Sequence, residues 1–283
     1  MVGHVLLAAA LVVAPAVRTE LSVMTWNVCA GTNAACRLYR ATDLELAENV
    51  AERARDQPVK PDVIFLQEFC TSTAALLELR LEQKTGRPWT VGSWGLGRDD
   101  GGPYSCHPDR LGRPRGAQSI AVAVAGGAAS FQVHPLPAPP RSATRAVLCA
   151  TIPALRVHAC GTHLSSGADY DDWQPGAPYR TRQILKFLDI AVKPGYRSVL
   201  GGDLNVSPPD SGRGSAAGRR AVAPVYQAYR ECDQRGARRT GRPTRETRKL
   251  DYLFVPKDAV VRRCHVARVR LSDHDPVYAK VLW

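Results

Sequence analysis

The chain has 283 residues, 45% of them hydrophobic, and a formal net charge of +12 at pH 7 from 38 basic and 26 acidic side chains. This length suits one large α/β domain or two small ones and leaves no room for more. Beyond the N-terminal segment no hydrophobic run is long enough to cross a bilayer, which excludes a protein with several membrane spans.

The first predicted element is an apolar N-terminal segment, which we interpret as a secretory signal peptide over residues 1–16. Its hydrophobic run is too short to span a bilayer, and Ala14-Pro15-Ala16 has the small-x-small form of a cleavage site. Because Arg18 is the first charged side chain, a buried strand or an uncleaved anchor remains an alternative. If the peptide is removed, the protein is secreted and extracellular. We expect the mature chain, residues 17–283, to fold as a single domain.

Downstream, strand-like and helix-like patterns alternate irregularly. Thr42 and Glu45 have the spacing of a capping box at the start of the first helix. The regular order of a Rossmann fold or a barrel is absent, as are the Gly-x-Gly-x-x-Gly and P-loop motifs. The periodicity predicts an α/β fold in which a two-layer sheet core is possible. We predict strands over residues 21–28, 61–68, 119–125, 198–204, 250–255 and 277–282, a hairpin over 143–164, helices over 42–55, 71–85, 178–191 and 222–230, and a long loop over 92–115.

Eight cysteines support export, because an even number is typical of disulfide-bonded proteins in an oxidising compartment. Zinc binding is the competing interpretation, but no Cys-x-x-Cys pair occurs. Cys149 and Cys160 lie opposite each other in the predicted hairpin, and Cys29 and Cys36 bracket a short loop. The sequence leaves the pairing open, and Cys70, Cys106, Cys232 and Cys264 complete the set.

Six short runs, in a fixed order, place Asn, Glu, Asp or His at the edge of a hydrophobic strand. A fold that gathers these strand ends would build a pocket of carboxylates and histidines able to hold a divalent cation and a phosphate. All six must then belong to one folded unit. The runs are Met24-Thr25-Trp26-Asn27, Val63-Ile64-Phe65-Leu66-Gln67-Glu68, Gly161-Thr162-His163-Leu164, Gly201-Gly202-Asp203-Leu204-Asn205, Leu250-Asp251-Tyr252 and Ser272-Asp273-His274.

This series of motifs resembles the endonuclease/exonuclease/phosphatase superfamily, the DNase I-like hydrolases. The resemblance extends over residues 21–283, and six motifs in this order are far more specific than any one of them. It implies a four-layer α/β sandwich, in which two packed mixed β-sheets are flanked by helices and the site lies at one end. It also implies a metal-dependent hydrolase that acts on phosphate ester bonds.

The resemblance assigns catalytic roles to five residues. His274 matches the group that orients or deprotonates the attacking water, and Asp251 matches the carboxylate that holds its imidazole in one tautomer. Asp203 would help to activate water and Asn205 would donate to a phosphate oxygen. His163 matches a second histidine that binds phosphate or assists the leaving group. On their own, these residues are equally compatible with turns and with packed core positions.

Three further residues match the metal side of the family's site, and two arginines match phosphate-binding positions. Glu68 is the expected metal ligand, with Asn27 orienting the metal or its water and Asp273 on the same side. Such oxygen ligands suit Mg²⁺, with Mn²⁺ or Ca²⁺ possible. Arg115 and Arg145 precede strands where family members often keep a phosphate-binding arginine, although this chain has many arginines.

The substrate is left open by the fold, because one scaffold serves several activities. Residues 213–248, which we call the basic segment, contain ten Arg against three acidic residues, a net charge of +7. This charge suits nucleic acid, an anionic lipid head group, or solubility alone. The leading prediction is a secreted nuclease, and the alternative enzyme is a lipid phosphoesterase, either a phosphoinositide phosphatase or a sphingomyelinase-like enzyme. A binding module without activity is disfavoured because every motif residue is present. No stable protein partner is implied.

Overall fold

The structure is a computed structural model that describes residues 19–167, 171 and 174–283. The predicted signal peptide, residues 1–16, lies outside the described residues. Within the described part of the chain, no helix is both long and apolar enough to cross a membrane. The predicted four-layer α/β sandwich is confirmed, since two six-stranded sheets pack against each other and carry helices on their outer faces.

The first sheet is mixed and contains both the N-terminal and the C-terminal strand described. Its strands are β1 (Glu20–Asn27), β2 (Val63–Cys70), β3 (Trp89–Gly95), β4 (Gln118–Ala125), β11 (Val260–Val266) and β12 (Val277–Leu282). They lie in the order β11-β12-β1-β2-β4-β3. The central strand β1 runs parallel to β2 and antiparallel to β12, so the ends of the described chain are joined in this sheet.

The second sheet is also mixed and has the order β5-β6-β7-β8-β10-β9. Its strands are β5 (Ser130–Leu136), β6 (Arg145–Ile152), β7 (Val157–His163), β8 (Arg197–Asp203), β9 (Arg230–Glu231) and β10 (Asp251–Val255). β7 and β8 run parallel, whereas β8 and β10 run antiparallel. The carboxyl ends of β7 and β8 therefore meet the amino end of β10 at one edge of the sheet.

Four α-helices cover the outer faces of the two sheets in pairs. They are α1 (Asp43–Asp56), α2 (Ala74–Thr85), α3 (Pro178–Ala191) and α4 (Ala216–Ala228), and 3₁₀ turns cover Arg37–Arg40, Thr71–Thr73 and Pro153–Leu155. α1 and α2 pack on the first sheet, and α3 and α4 pack on the second. The predicted capping box forms at α1, where the Thr42 hydroxyl accepts from the Glu45 N–H and the Glu45 carboxylate accepts from the Thr42 N–H.

The inner strands are buried on both faces, which explains their nearly continuous apolar sequences. In β1, Leu21 and Val23 face the second sheet, whereas Met24 and Trp26 face α1 and α2. Successive side chains of a strand point to opposite faces, so each inner strand contributes to two hydrophobic layers. The polar residue that ends such a strand is therefore held by a rigid core.

All eight cysteines form disulfides: Cys29–Cys36, Cys70–Cys106, Cys149–Cys160 and Cys232–Cys264. The hairpin pair and the short-loop pair are as expected from the sequence. Four disulfides are typical of a protein that folds in an oxidising, extracellular-type environment.

The elements differ from the sequence expectation at the margins of the sheets and at helix starts. The predicted loop over residues 92–115 begins inside strand β3, and strands β5, β9 and β11 were not predicted. The predicted helix over 71–85 opens with a 3₁₀ turn, and α4 starts at Ala216 rather than at 222. The predicted helix over 178–191 and the strand over 277–282 match α3 and β12.

Candidate active site

Four of the six motifs line one polar cleft of about 210 Å³ at the end of the sandwich, and Asn27 and Asp251 of the other two hydrogen-bond to residues that line it. This volume is smaller than the roughly 300–1,000 Å³ of sites for drug-sized ligands, so the cleft suits one phosphoryl group and its immediate partners. Strand register brings three of the predicted residues side by side, because Asp203 pairs with His163 of β7 and with Asp251 of β10. The cleft is lined by Thr32, Asn33, Glu68, Tyr104, Gln118, Arg145, His163, Ser166, Asp203, Asn205, Arg245, Asp273 and His274.

Glu68 reaches the cleft from a bulge rather than from a strand end. The register between β2 and β4 shifts between Leu66 and Phe69, and Glu68 adopts a left-handed backbone with φ of 52°. The prediction that the strand ends at Glu68 is therefore wrong, since β2 continues to Cys70. A bulge re-aims the side chain it carries. The Glu68 carboxylate accepts from Asn27 Nδ2 at 3.0 Å and from Gln118 Nε2 at 3.2 Å.

Asn27 ties the two halves of the cleft together. Its Nδ2 donates both to Glu68 and, at 3.1 Å, to Asp203 Oδ2. Its Oδ1 accepts from the Cys29 N–H at 3.0 Å, which fixes the orientation of the amide because a backbone N–H can only donate. Asn27 was expected on the metal side. In this conformation its oxygen is already bonded, so it acts as a bridge between two carboxylates.

The turn after β8 orients Asp203 and Asn205. Gly202 has φ of 138°, and a Cβ there would lie 2.0 Å from the carbonyl oxygen of Thr162, so only glycine fits. The Asn205 N–H donates to Asp203 Oδ1 at 2.8 Å, and its Nδ2 donates to the carbonyl of Leu164 at 3.0 Å. One of the two Nδ2 hydrogens is thereby used.

His274 is fixed at both its backbone and its ring. Its carbonyl accepts from Trp26 Nε1 and its N–H donates to Ser272 Oγ, each at 3.0 Å. Its Nδ1 lies 2.8 Å from Asp251 Oδ2, and its Nε2 lies 3.8 Å from Asp203 Oδ2. The predicted His274–Asp251 pair is present, and it directs Nε2 toward the cleft.

Two ionisable groups of this site, Asp203 and His274, have pKa values raised above their ordinary values. Burial raises the pKa of Asp203 to about 7, with the His274 cation opposing the rise and the Asp251 carboxylate adding to it. Burial alone would lower the pKa of His274, but the carboxylates of Asp251 and Asp203 raise it to about 10. A carboxylate beside an imidazolium cation is therefore the expected state above neutral pH.

The second histidine has the opposite electrostatic character. His163 Nε2 lies 3.6 Å from Asp203 Oδ2, while burial and the charges of Arg145 and His274 hold the pKa of His163 well below its usual range. Arg145, partly exposed in the cleft, donates to the carbonyl of His163 at 3.4 Å. His163 is thus neutral, and the positive charge at this side of the cleft comes from Arg145.

Asp273 and Glu68 are the carboxylates with the chemistry for a divalent cation. Glu68 has only amide donors, Asn27 and Gln118, among its hydrogen-bond partners in the described residues. Asp273 forms an ion pair with Arg245 at 2.8 Å and lies 4.0 Å from His274 Nε2. Oxygen ligands of this kind suit Mg²⁺ or Ca²⁺. Glu68 forms no ion pair among the described residues, although the charge of Arg145 lies close enough to interact with it.

The two predicted arginines divide between the cleft and the interior. Arg145 lines the cleft as expected. Arg115 does not reach it, because its side chain is buried and its Nη1 donates to the carbonyls of Ala30 and Tyr39 at 2.9 and 2.8 Å. Its position is structural, since it ties down the segment after β1.

Sequence reasoning did not identify several residues of the cleft. Gln118 and Tyr104 come from the chain around the predicted loop, and Asn33 comes from the loop closed by Cys29–Cys36. Arg245 belongs to the basic segment but was indistinguishable from its neighbours in the sequence. The short separation between Cys29 and Cys36, which bracket Asn33, was the available sequence signal that this loop is held in place.

The chain is similar in sequence and in fold to known proteins. Residues 24–274 match the family model of the Endonuclease/Exonuclease/phosphatase family. No curated protein matches the chain. An endonuclease/exonuclease/phosphatase from Beutenbergia cavernae DSM 12333 is 23% identical, with a TM-score of 0.58 over 93% of this chain and 71% of that one.

Two eukaryotic structures share the fold at similar distance. The human Nocturnin catalytic domain with bound sulfate anion is 16% identical, with a TM-score of 0.62 over 93% of this chain and 94% of that one. Truncated Caenorhabditis elegans TDP2 is 18% identical, with a TM-score of 0.56 over 93% and 98% of the two chains. At these identities the likeness shows the fold alone.

Proposed function

Because the chain belongs to the endonuclease/exonuclease/phosphatase family, it is a hydrolase of phosphate ester bonds, and we propose that it is a secreted, Mg²⁺-dependent nuclease. One observation carries the proposal: His274, which is hydrogen-bonded to Asp251, and Asp203, 3.8 Å from His274 Nε2, line one small polar cleft together with Arg145 and Glu68. Such a set can activate water and stabilise an anion in the same place.

Asp203 is the group suited to take a proton from the attacking water. Its pKa of about 7 makes it a base whose strength matches neutral or slightly alkaline conditions. Asn27 and the Asn205 N–H bond to its two oxygens and fix the carboxylate plane. Water held at Asp203 Oδ2 would therefore be directed at a phosphorus atom in the cleft.

His274 and Arg145 are the groups suited to the phosphate. With its Nδ1–H donated to Asp251, the His274 cation presents Nε2–H to the cleft, where it can bind a phosphate oxygen. Arg145 supplies a second positive charge, and neutral His163 supplies a ring nitrogen that can hydrogen-bond the leaving oxygen. Negative charge that develops during hydrolysis is met by donors already in position.

Glu68 is the residue we assign to hold the cation, and Asp273 is a second carboxylate that lines the same cleft. A bound Mg²⁺ supplies positive charge that lowers the barrier to attack on an anionic phosphodiester. Asn27 keeps Glu68 and Asp203 in register, so the metal-binding and base functions are coupled through one amide. Mn²⁺ or Ca²⁺ would satisfy the same oxygen ligands.

Nucleic acid is the substrate that the charge distribution favours. The basic segment reaches the cleft directly, because Arg245 lines it, and Arg235 and Arg238 of the same segment are exposed. Contacts of this kind recognise phosphates without regard to sequence. The Nocturnin domain binds sulfate, a tetrahedral anion like phosphate. Secretion is supported by the four disulfides and the apolar N-terminal segment.

The test is a substrate screen with the mature protein and Mg²⁺, with plasmid DNA, RNA, a phosphoinositide and sphingomyelin offered in parallel. His274→Ala serves as the matched inactive control. We expect cleavage of a nucleic acid by the wild type and none above background by the variant. Hydrolysis of a lipid head group without cleavage of DNA or RNA would replace the nuclease proposal by a lipid phosphoesterase.

A further inference from the structure

Beside the cleft lies a second cavity of about 400 Å³ that the proposed mechanism does not use. We call it the basic pocket, because Arg213, Lys249 and Arg268 line it. It shares two chain segments with the cleft, since Asn205 and Arg245 line the cleft whereas Ser207 and Glu246 line the pocket. Two residues of chain span at most roughly 7 Å, so the two cavities are neighbours.

A buried polar atom of the pocket wall lacks a hydrogen-bond partner within the described residues. It is Ser207 Oγ, whose side chain is more than nine-tenths buried. Lys249 is also buried in this wall, but its Nζ lies 3.1 Å from Glu231 Oε1 and 5.1 Å from the centre of the Tyr252 ring, so its charge is already balanced. A buried hydroxyl without a hydrogen-bond partner is costly, which indicates that a ligand or water completes it.

The remaining charged groups make the pocket suited to an anion. Arg213 donates to Thr247 Oγ1 at 3.2 Å and has no ion pair among the described residues, so its guanidinium charge is not balanced. Arg268 is paired with Asp275 at 2.8 Å, and Lys249 is paired with Glu231 behind the wall. Glu246 is the only acidic residue lining the pocket among the described residues.

Gly214 leaves open the space in front of Ser207. Its φ is 69°, and a Cβ at this position would lie 3.0 Å from Ser207 Oγ. Glycine at this position therefore keeps a side chain away from Ser207 Oγ.

We propose that the basic pocket binds a second phosphate of the substrate, next to the phosphodiester that is cleaved. The proposal rests on the proposed nuclease function and specifies it further. Phosphate oxygens would accept from the Ser207 hydroxyl and from the planar fork of Arg213. The second phosphate can be an internal phosphodiester of the chain or a terminal phosphomonoester, which share this chemistry.

The first test measures binding without catalysis. Inorganic phosphate is titrated into the ¹⁵N-labelled metal-free protein while the amide signals of Ser207, Gly214 and Asn205 are followed. We expect two separate saturation curves, one for the Ser207 and Gly214 signals and one for the Asn205 signal. Arg213→Gln should weaken the first about tenfold and leave the second unchanged, whereas Arg220→Gln, an exposed change on α4 outside the pocket, should alter neither.

The second test compares minimal substrates: a dinucleoside monophosphate, the same compound with a terminal phosphate, and a trinucleoside diphosphate. Arg213→Gln and Ser207→Ala should each raise KM severalfold for the substrates with two phosphates and leave the single phosphodiester unaffected. A response to the trinucleotide alone identifies the internal phosphodiester, and a response to the terminal phosphate identifies the phosphomonoester.

The two tests separate the pocket from the enzymatic function. If the Ser207 and Gly214 signals do not respond at phosphate concentrations that saturate Asn205, the pocket is not a phosphate site, whatever the activity. Equal KM changes for one-phosphate and two-phosphate substrates would also overturn it. If phosphate saturates the pocket but no nucleotide is hydrolysed, the nuclease proposal fails and the phosphate site stands.

Discussion

The residues around His274 and the basic segment both carry charge toward the substrate, but they hold it in different ways. Asp251 and Asp203 are buried, and each contacts His274 directly. In the basic segment, Arg239 pairs with Asp210 and Arg242 with Asp233, each at 2.8 Å and partly exposed to solvent. The buried groups around His274 are therefore pre-organised for one reaction geometry. The partly exposed arginines of the basic segment can move, and salt can screen their charge.

Arg245 belongs to both regions and shows how they meet. It lies in the basic segment and pairs with Asp273, the neighbour of His274. The basic segment is therefore in direct contact with the loop that carries His274. The difference between the two regions predicts that changes at His274 affect all substrates equally, whereas changes in the basic segment affect long polyanions.

The largest expected effect is at His274. His274→Ala should lower kcat/KM by roughly 10²–10⁴-fold on any phosphodiester, because it removes a positioned proton donor. Asp251→Asn should also lower kcat/KM, because the amide that replaces the carboxylate lacks the negative charge that orients the His274 imidazole. Steady-state kinetics on a small soluble diester provide the measurement, and the exposed His107→Ala is the control. Near-normal turnover in both active-site variants would remove His274 from the mechanism.

Metal dependence should locate the cation at Glu68. Glu68→Gln keeps the hydrogen-bonding shape but removes the charge, so the affinity for Mg²⁺ should fall by roughly 10–100-fold or more. Calorimetric titration with Mg²⁺ checks this independently of turnover, with Glu52→Gln on the surface of α1 as the control. Chelation should abolish hydrolysis, and full activity in excess chelator would contradict a metal-dependent reaction.

The pH profile should report the buried pair. Hydrolysis requires Asp203 ionised and His274 protonated, so kcat/KM should rise with pH through about 7 and fall above about 10. Asp251→Asn removes the nearest counter-charge of His274 and should move the alkaline limb to lower pH. The profile is measured on the small diester, and an alkaline limb that stays in place would show that His274 is not the group that titrates there.

Removing each of two disulfides should affect the stability and the activity of the protein to different extents. Cys232–Cys264 closes 32 residues and Cys29–Cys36 closes 7, so chain entropy predicts losses of about 4 and about 2 kcal/mol in unfolding free energy when each pair is replaced by alanine. Activity should follow the opposite order. Thr32 and Asn33 of the cleft wall lie in the smaller loop, which contains no strand, whereas in the larger loop Asp251 is held by β10 and Arg245 by its ion pair with Asp273. Denaturant unfolding and diester kinetics on both variants decide it, and equal losses of activity would show that the cleft does not depend on that loop.

The sequence predicted the inner strands and missed the edges for a physical reason. β3, β5, β9 and β11 are the four edge strands, and all are more exposed than the inner strands beside them. An edge strand lacks the continuous apolar run of a strand covered on both faces, so its pattern is weak. In β3, Gly92 lies against the Phe131 ring, which no local pattern reveals.

In the site, too, residues on inner strands could be predicted and residues on loops could not. Asn27, His163 and Asp203 end inner strands, and their meeting point could be predicted. The contacts of Arg115 and Arg245 could not, because they depend on how loops fold over the sheet edge rather than on strand ends. The bulge at Glu68 was likewise hidden, since its left-handed backbone is imposed by the pairing of β2 with β4.

The central claim is that the cleft performs the chemistry and the basic segment recognises length. It is tested most directly by measuring kcat/KM on long duplex DNA and on a single phosphodiester, over a range of salt concentrations. The variants are His274→Ala and the double variant Arg235→Gln/Arg238→Gln, whose two side chains are exposed. We predict that His274→Ala loses both activities by the same factor. The double variant should lose only DNA cleavage, severalfold, with a salt slope smaller by up to about 2. An unchanged DNA rate and salt slope in the double variant, or equal losses on both substrates, would contradict the claim.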